Sequence, residues 1–90
     1  MMYPFMQLND GTEIVHSEML PEGKVRVYIE TPDEKDCFHS AECFLPGYEW
    51  KNISGYGERG IQYFQSIIES TAHLIIEFSQ HGGLENASGF

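Results

Sequence analysis

Positive charge is scarce in this chain. Five Lys and Arg residues stand against 14 Asp and Glu in 90, so the formal net charge is −9 and the isoelectric point lies near 4.6. A field of that sign favours solubility, repels bare nucleic acid and anionic membranes, and attracts basic protein surfaces. No basic stripe interleaves with the aromatic residues, which argues against direct nucleic-acid binding. Long apolar runs are lacking too: none approaches the ~20 residues a membrane-spanning helix needs. Residues Met1 to Leu8 have neither the basic region nor the apolar stretch of a signal peptide. The expectation is a cytoplasmic protein without a membrane partner.

Cysteine is nearly missing. Cys37 and Cys43 sit six positions apart in what reads as one strand, a separation of about 20 Å when extended. A disulfide requires Cα atoms within ~7 Å, so the expectation is two reduced thiols, as in the cytosol. Cys37-x-His39-x3-Cys43 is the one arrangement with metal-ligand chemistry, with His16 or His73 as a fourth ligand. Zinc sites draw cysteine pairs from tight turns with short spacing, and ligands strung along one strand diverge. The same spacing separates a thiol nucleophile from an imidazole base, which must approach within about 3 Å. No glycine-framed nucleophile turn is present. No catalytic residue, cofactor or metal is expected, and an enzyme is the least supported class.

What is present is patterned for a small mixed fold. Ninety residues form one domain, 1–90, with a thin core. Strands are expected at about 3–8, 12–20, 24–31 and 37–45, the first two joined by the Asn9-Asp10-Gly11 turn. The third has the clearest alternation: Val25, Val27 and Ile29 on one face, Lys24, Arg26, Tyr28 and Glu30 on the other. Strand 37–45 carries apolar groups on both faces, so its core side is left open. Tyr48 to Gly57 reads as irregular. A helix over about 58–80 places Ile61, Phe64, Ile68, Ile75 and Phe78 on one stripe, broadened by Ile67, Ala72 and Leu74. Ser54 or Gly57 would cap its start. Gly82-Gly83 would end it, before a short tail, 84–90. The expected class is α+β: an antiparallel four-stranded meander with one long C-terminal helix packed on one face.

The acids are uneven. Residues 1–50 hold ten acids and three bases; residues 51–90 hold four and two. Glu30, Glu42 and the loop acids Asp33, Glu34 and Asp36 are the candidate partner-binding charges. Tyr48 and Trp50 are the candidate aromatic anchors, being types enriched in binding hot spots; closing one end of the core is their alternative role.

The run Met2-Tyr3-Pro4-Phe5-Met6-x-Leu8-x-Asp10-x-Thr12-Glu13-Ile14-Val15-His16-Ser17, with Leu45-Pro46-x-Tyr48-Glu49-Trp50 and Ala72-His73-Leu74-Ile75, resembles a group of short acidic proteins of Firmicutes and mobile elements. The resemblance covers most of the chain and implies no particular activity. Asp36 to Ala41 is faintly similar to a strand of the HicB antitoxin sheet, a fold with a different order of strands and helices. The functional expectation is a small acidic protein-binding module. Its favoured form is a mobile-element inhibitor of anti-CRISPR or anti-restriction type, occupying a basic nucleic-acid site on a host protein. The alternative is an antitoxin-like or transcription-regulatory partner. Self-association through the long helix would give a homodimer in either case.

Protein purified without chelator should carry less than about 0.1 zinc per chain by elemental analysis, whereas stoichiometric zinc lost together with the fold on chelation would overturn that reading.

Overall fold

The computed structural model describes residues 2–35 and 37–81. The expected helix stop at Gly82-Gly83 and the tail 84–90 lie outside these residues. Five strands precede one helix: β1 (Met2–Gln7), β2 (Glu13–Ser17), β3 (Val25–Asp33), β4 (Cys37–Leu45), β5 (Glu49–Ser54) and α1 (Glu58–His81). The strands form one antiparallel meander in the order β1-β2-β3-β4-β5. The α+β class and the C-terminal helix are therefore as expected. The strand count is five, not four.

The extra strand falls where the sequence reads as irregular. β5 pairs with β4 through Phe44↔Glu49, Cys43↔Trp50, Glu42↔Lys51 and Ser40↔Ser54, with a bulge between Ser40 and Glu42. It is an edge strand, and only Trp50 in it is even half-buried. An edge strand with little burial needs no apolar alternation, and the bulge, with Asn52 at φ +54°, breaks what periodicity there is.

β2 is shorter than the sequence suggests, ending at Ser17 rather than near Leu20. The chain leaves the sheet there because Met19 donates its amide to the Ser79 carbonyl of α1 (3.1 Å). The Ser17 hydroxyl accepts the Arg26 amide (3.0 Å) and takes the place of the lost ladder bond. β3 instead runs on through Pro32 to Asp33, opposite Phe38 and Cys37. Its pairing with β2 extends no further than Glu30↔Glu13, so the missing proline donor leaves no neighbour unsatisfied.

The inner face of the sheet is now assigned. Ile14 and His16 of β2, Val25, Val27 and Ile29 of β3, and Ala41, Cys43 and Leu45 of β4 are buried. The opposite face of β4 leaves Phe38 54% exposed and Phe44 half-buried. The Lys51 ammonium lies 5.3 Å from the Phe44 ring centroid, a cation–π contact that partly covers the ring.

Helix α1 starts at Glu58, after Gly57, whose carbonyl accepts the Ile61 amide (3.1 Å). That places the cap at Gly57, the second of the two expected positions. Phe64, Ile68, Ile75 and Ser79 are buried. Ile61 and Phe78 sit half-buried at the two ends of the stripe, with Phe78 against Phe5 (ring centroids 6.0 Å). Ser79 is a polar residue in this seam, and its hydroxyl donates to the Ile76 carbonyl (2.6 Å). Gln62, Ser66, Glu69, Ser70, His73 and Glu77 lie exposed on the other side of the helix.

Ile68 is fully buried between helix and sheet. Ile68→Ala should cost about 2–5 kcal/mol, since the transfer term and the residual cavity both count. A urea melt placing the change under about 0.5 kcal/mol, the usual range for surface substitutions, would contradict this packing.

Candidate partner-binding surface

An antiparallel meander gathers alternate chain ends. The end of β1, the start of β2, the end of β3, the start of β4, the end of β5 and the start of α1 all meet at one edge of the molecule. Asp10, Glu13, Glu30, Asp33, Glu34 and Glu58 come with them. Among the described residues, Lys35 and Arg59 are the cations at this end.

Local bonding explains how these side chains are held. Asp10 closes the β1–β2 turn by accepting the Thr12 amide on Oδ1 (2.9 Å). Gly11, at φ +89°, supplies the left-handed backbone that this turn requires. Hydrogen bonds from the Thr12 side chain and then its backbone hold the Asp10 carboxyl below the usual carboxylate range. Glu13 stands directly opposite Glu30 in the β2–β3 register, a like-charge cross-strand pair. Glu30 accepts the Tyr28 hydroxyl (2.9 Å). Burial raises the Tyr28 phenol above its ordinary value, and the Glu30 bond adds to the rise.

Behind these carboxylates runs a chain of hydroxyls. Thr12 Oγ1 lies 2.7 Å from Thr31 Oγ1, Thr31 Oγ1 lies 2.6 Å from the Tyr56 hydroxyl, and that hydroxyl is 3.2 Å from the His39 carbonyl. Burial pushes the Tyr56 phenol up; the Thr31 bond opposes this, while the charges of Asp10 and Glu30 add to it. Carboxylates from the β1–β2 turn and from β3 therefore act on the same hydroxyl. His39 Nε2 lies 2.6 Å from Asp33 Oδ2, and its ring packs edge-on to Tyr56 (5.7 Å). At Gly55, φ is +90° and a Cβ would fall 2.3 Å from the His39 ring, so this close approach admits only glycine.

The residues singled out from sequence separate into two groups. Glu30, Asp33 and Glu34 lie at this acidic end, Glu34 exposed and the other two half-buried. Asp36 lies outside the described residues. Glu42 is elsewhere, on the open face of the sheet and only 8% exposed. It pairs with the Arg26 guanidinium and accepts the Asn52 amide (2.6 Å). Tyr48 packs against the core cluster. Trp50 does so too, and its Nε1 donates to Gln65 of α1 (2.9 Å), which ties the edge strand to the helix. Sequence reasoning passes over Asp10, while Glu13 is already among the acids that could line a surface. Asp10 read simply as a turn residue, and the position of Glu13 opposite Glu30 depends on a register that only pairing reveals.

The remaining chemistry-bearing groups are dispersed. Cys43 is buried, and burial pushes its thiol up to about 12; Cys37 is exposed at the start of β4 with φ +67°. Among the described residues, no three His, Cys, Asp or Glu side chains converge as metal ligands. His16 is fully buried, with Nδ1 2.8 Å from the Ser17 carbonyl, between the rings of Tyr3 and Phe5. A carbonyl oxygen only accepts, so Nδ1 donates in that bond, and Nε2 is buried without a hydrogen-bond partner. His73 and His81 are exposed. Among the described residues, no helix is long and apolar enough to cross a membrane. Comparison with family models, curated proteins and solved structures finds no match.

The Arg26–Glu42–Asn52 cluster yields an asymmetric prediction. Arg26→Met should destabilise the fold by about 1–3 kcal/mol, because it strands a desolvated carboxylate. Glu42→Gln should cost clearly less, since Arg26 can turn to solvent. Equal losses in paired urea melts would mean that this contact acts as an ordinary surface ion pair.

Proposed function

We propose that this chain is a small acidic protein-binding module whose acidic end occupies a basic, nucleic-acid-binding surface on a partner protein, in the manner of a mobile-element inhibitor. The observation that carries this reading is the convergence of Asp10, Glu13, Glu30, Asp33 and Glu34 from two turns and two strands onto one end of the sheet. The Glu13–Glu30 pairing is informative because opposed like charges lower stability. A cation brought by a partner would relieve that repulsion. Glu42, Tyr48 and Trp50 are engaged within the fold, so the proposed surface consists of the terminal carboxylates.

Exposed charges of this kind act within a Debye length of about 8 Å at physiological ionic strength. Their effect falls mainly on the association rate and on partner choice. A triple variant, Glu13→Gln, Glu30→Gln and Glu34→Gln, keeps every side chain's shape and the acceptor for Tyr28. With a partner captured from host lysate, this variant should associate about tenfold or more slowly at low salt, by the loss of electrostatic steering. Glu22→Gln with Glu69→Gln and Glu77→Gln, away from that end, should change the rate far less. The native chain should also displace DNA or RNA from the captured partner. Salt-independent association that is unaffected by the first triple variant, or a partner that keeps its nucleic acid, would refute the proposal.

A further inference from the structure

A crevice of about 390 Å³ opens between the β1–β2 turn and the first half of α1, lined by Gln7, Leu8, Asn9, Asp10 and Tyr63. Its volume is at the lower end of the range for small-molecule pockets, about 300–1,000 Å³. That is room for one long side chain rather than a nucleotide cofactor. Its walls are chemically distinct. Tyr63 is 55% exposed, and its ring rests 5.5 Å from that of the buried Phe64, so a large aromatic surface is held out in solvent by the core behind it. The bonds from Thr12 restrain the Asp10 carboxyl in the turn and hold it below the usual carboxylate range. Leu8 is apolar, and Gln7 and Asn9 bring amide oxygens. Glu13 stands opposite Gln7 in the β1–β2 register.

We propose that this crevice receives an arginine side chain of the basic partner. The inference rests on the binding function proposed above and names its specificity element. A guanidinium is planar and weakly hydrated and has five donors. It stacks on a phenol ring while its edge bonds a carboxylate and amide oxygens, and its methylenes cover an apolar neighbour. A lysine ammonium meets the carboxylate but has no planar face for Tyr63.

The test uses the full chain and two capped peptides of equal charge, tetra-arginine and tetra-lysine, titrated at low salt with tyrosine ring and side-chain amide resonances followed by NMR. Tetra-arginine should bind at least about fivefold more tightly and shift the Asn9, Gln7 and Tyr63 signals. Asp10→Asn keeps the oxygen that accepts the Thr12 amide but removes the charge. Tyr63→Ala places a good helix former at an exposed site. Each should reduce arginine binding to the lysine level with an unchanged thermal midpoint. Equal binding of both peptides, untouched by Tyr63→Ala, would overturn the arginine pocket and leave the charged-surface function standing. If neither peptide bound, both proposals would fall. Arginine preference together with a partner that keeps its nucleic acid would retain the pocket and refute the inhibitor reading.

Discussion

The structure depends on the burial of one face of the sheet beneath one stripe of α1. Ile14, Val27, Ile29, Cys43 and Leu45 present a continuous apolar surface, and Phe64, Ile68 and Ile75 close it. A domain of this size hides too little surface to spare that contact. Once it forms, the strands' period of two sends every alternate side chain to the open face. Arg26, Tyr28, Glu30, Glu42 and Phe44 stand there for that reason. A one-residue slip in β3 would exchange Val27 for Arg26 or Tyr28 in the core, so the burial also specifies the register.

Most polar groups brought near this core are matched locally, His16 Nε2 being the exception among the described residues. Met19 leaves the sheet and satisfies a helix carbonyl at Ser79, so the departing chain itself joins the sheet layer to the C-terminal half of the helix. On the edge strand β5, the Trp50 indole makes a second link to the helix by donating to the Gln65 side chain. Both edges are also blunted against strand addition. β1 has an exposed Pro4 followed by a bulge, and β5 has Lys51 and a bulge. Proline, lysine and bulges are the usual means of discouraging edge-to-edge pairing. Most of the outer side of the helix is polar as well.

The acidic end is a consequence of connectivity. A meander returns its turns to two poles, and here the β1–β2 and β3–β4 turns share a pole with the start of the helix. Carboxylates distant in sequence become neighbours, and those of Asp10 and Glu30 both act on the Tyr56 hydroxyl. The repulsion this creates destabilises a like-charge cross-strand pair such as Glu13–Glu30. Screening by salt or a cationic partner reduces it.

Local pattern alone determined the α+β class, the inward faces of β3 and α1, the Asn9-Asp10-Gly11 turn and the acidic excess. Each is carried by spacing or composition within about ten residues of chain. The tertiary structure decided the rest. β5 has no apolar alternation because an edge strand is barely buried, so no pattern within residues 48–57 could announce it. The inner face of β4 was undecided by its own residues, apolar on both sides, until the neighbouring β3 and the covering helix selected Ala41, Cys43 and Leu45. Whether a carboxylate is a surface charge or a structural one was equally beyond the sequence. Glu42 and Glu34 are the same residue type in the same acidic half, yet Arg26 and Asn52 enclose one and solvent surrounds the other. That difference arises from which strands lie side by side, a relation that no local stretch of sequence contains.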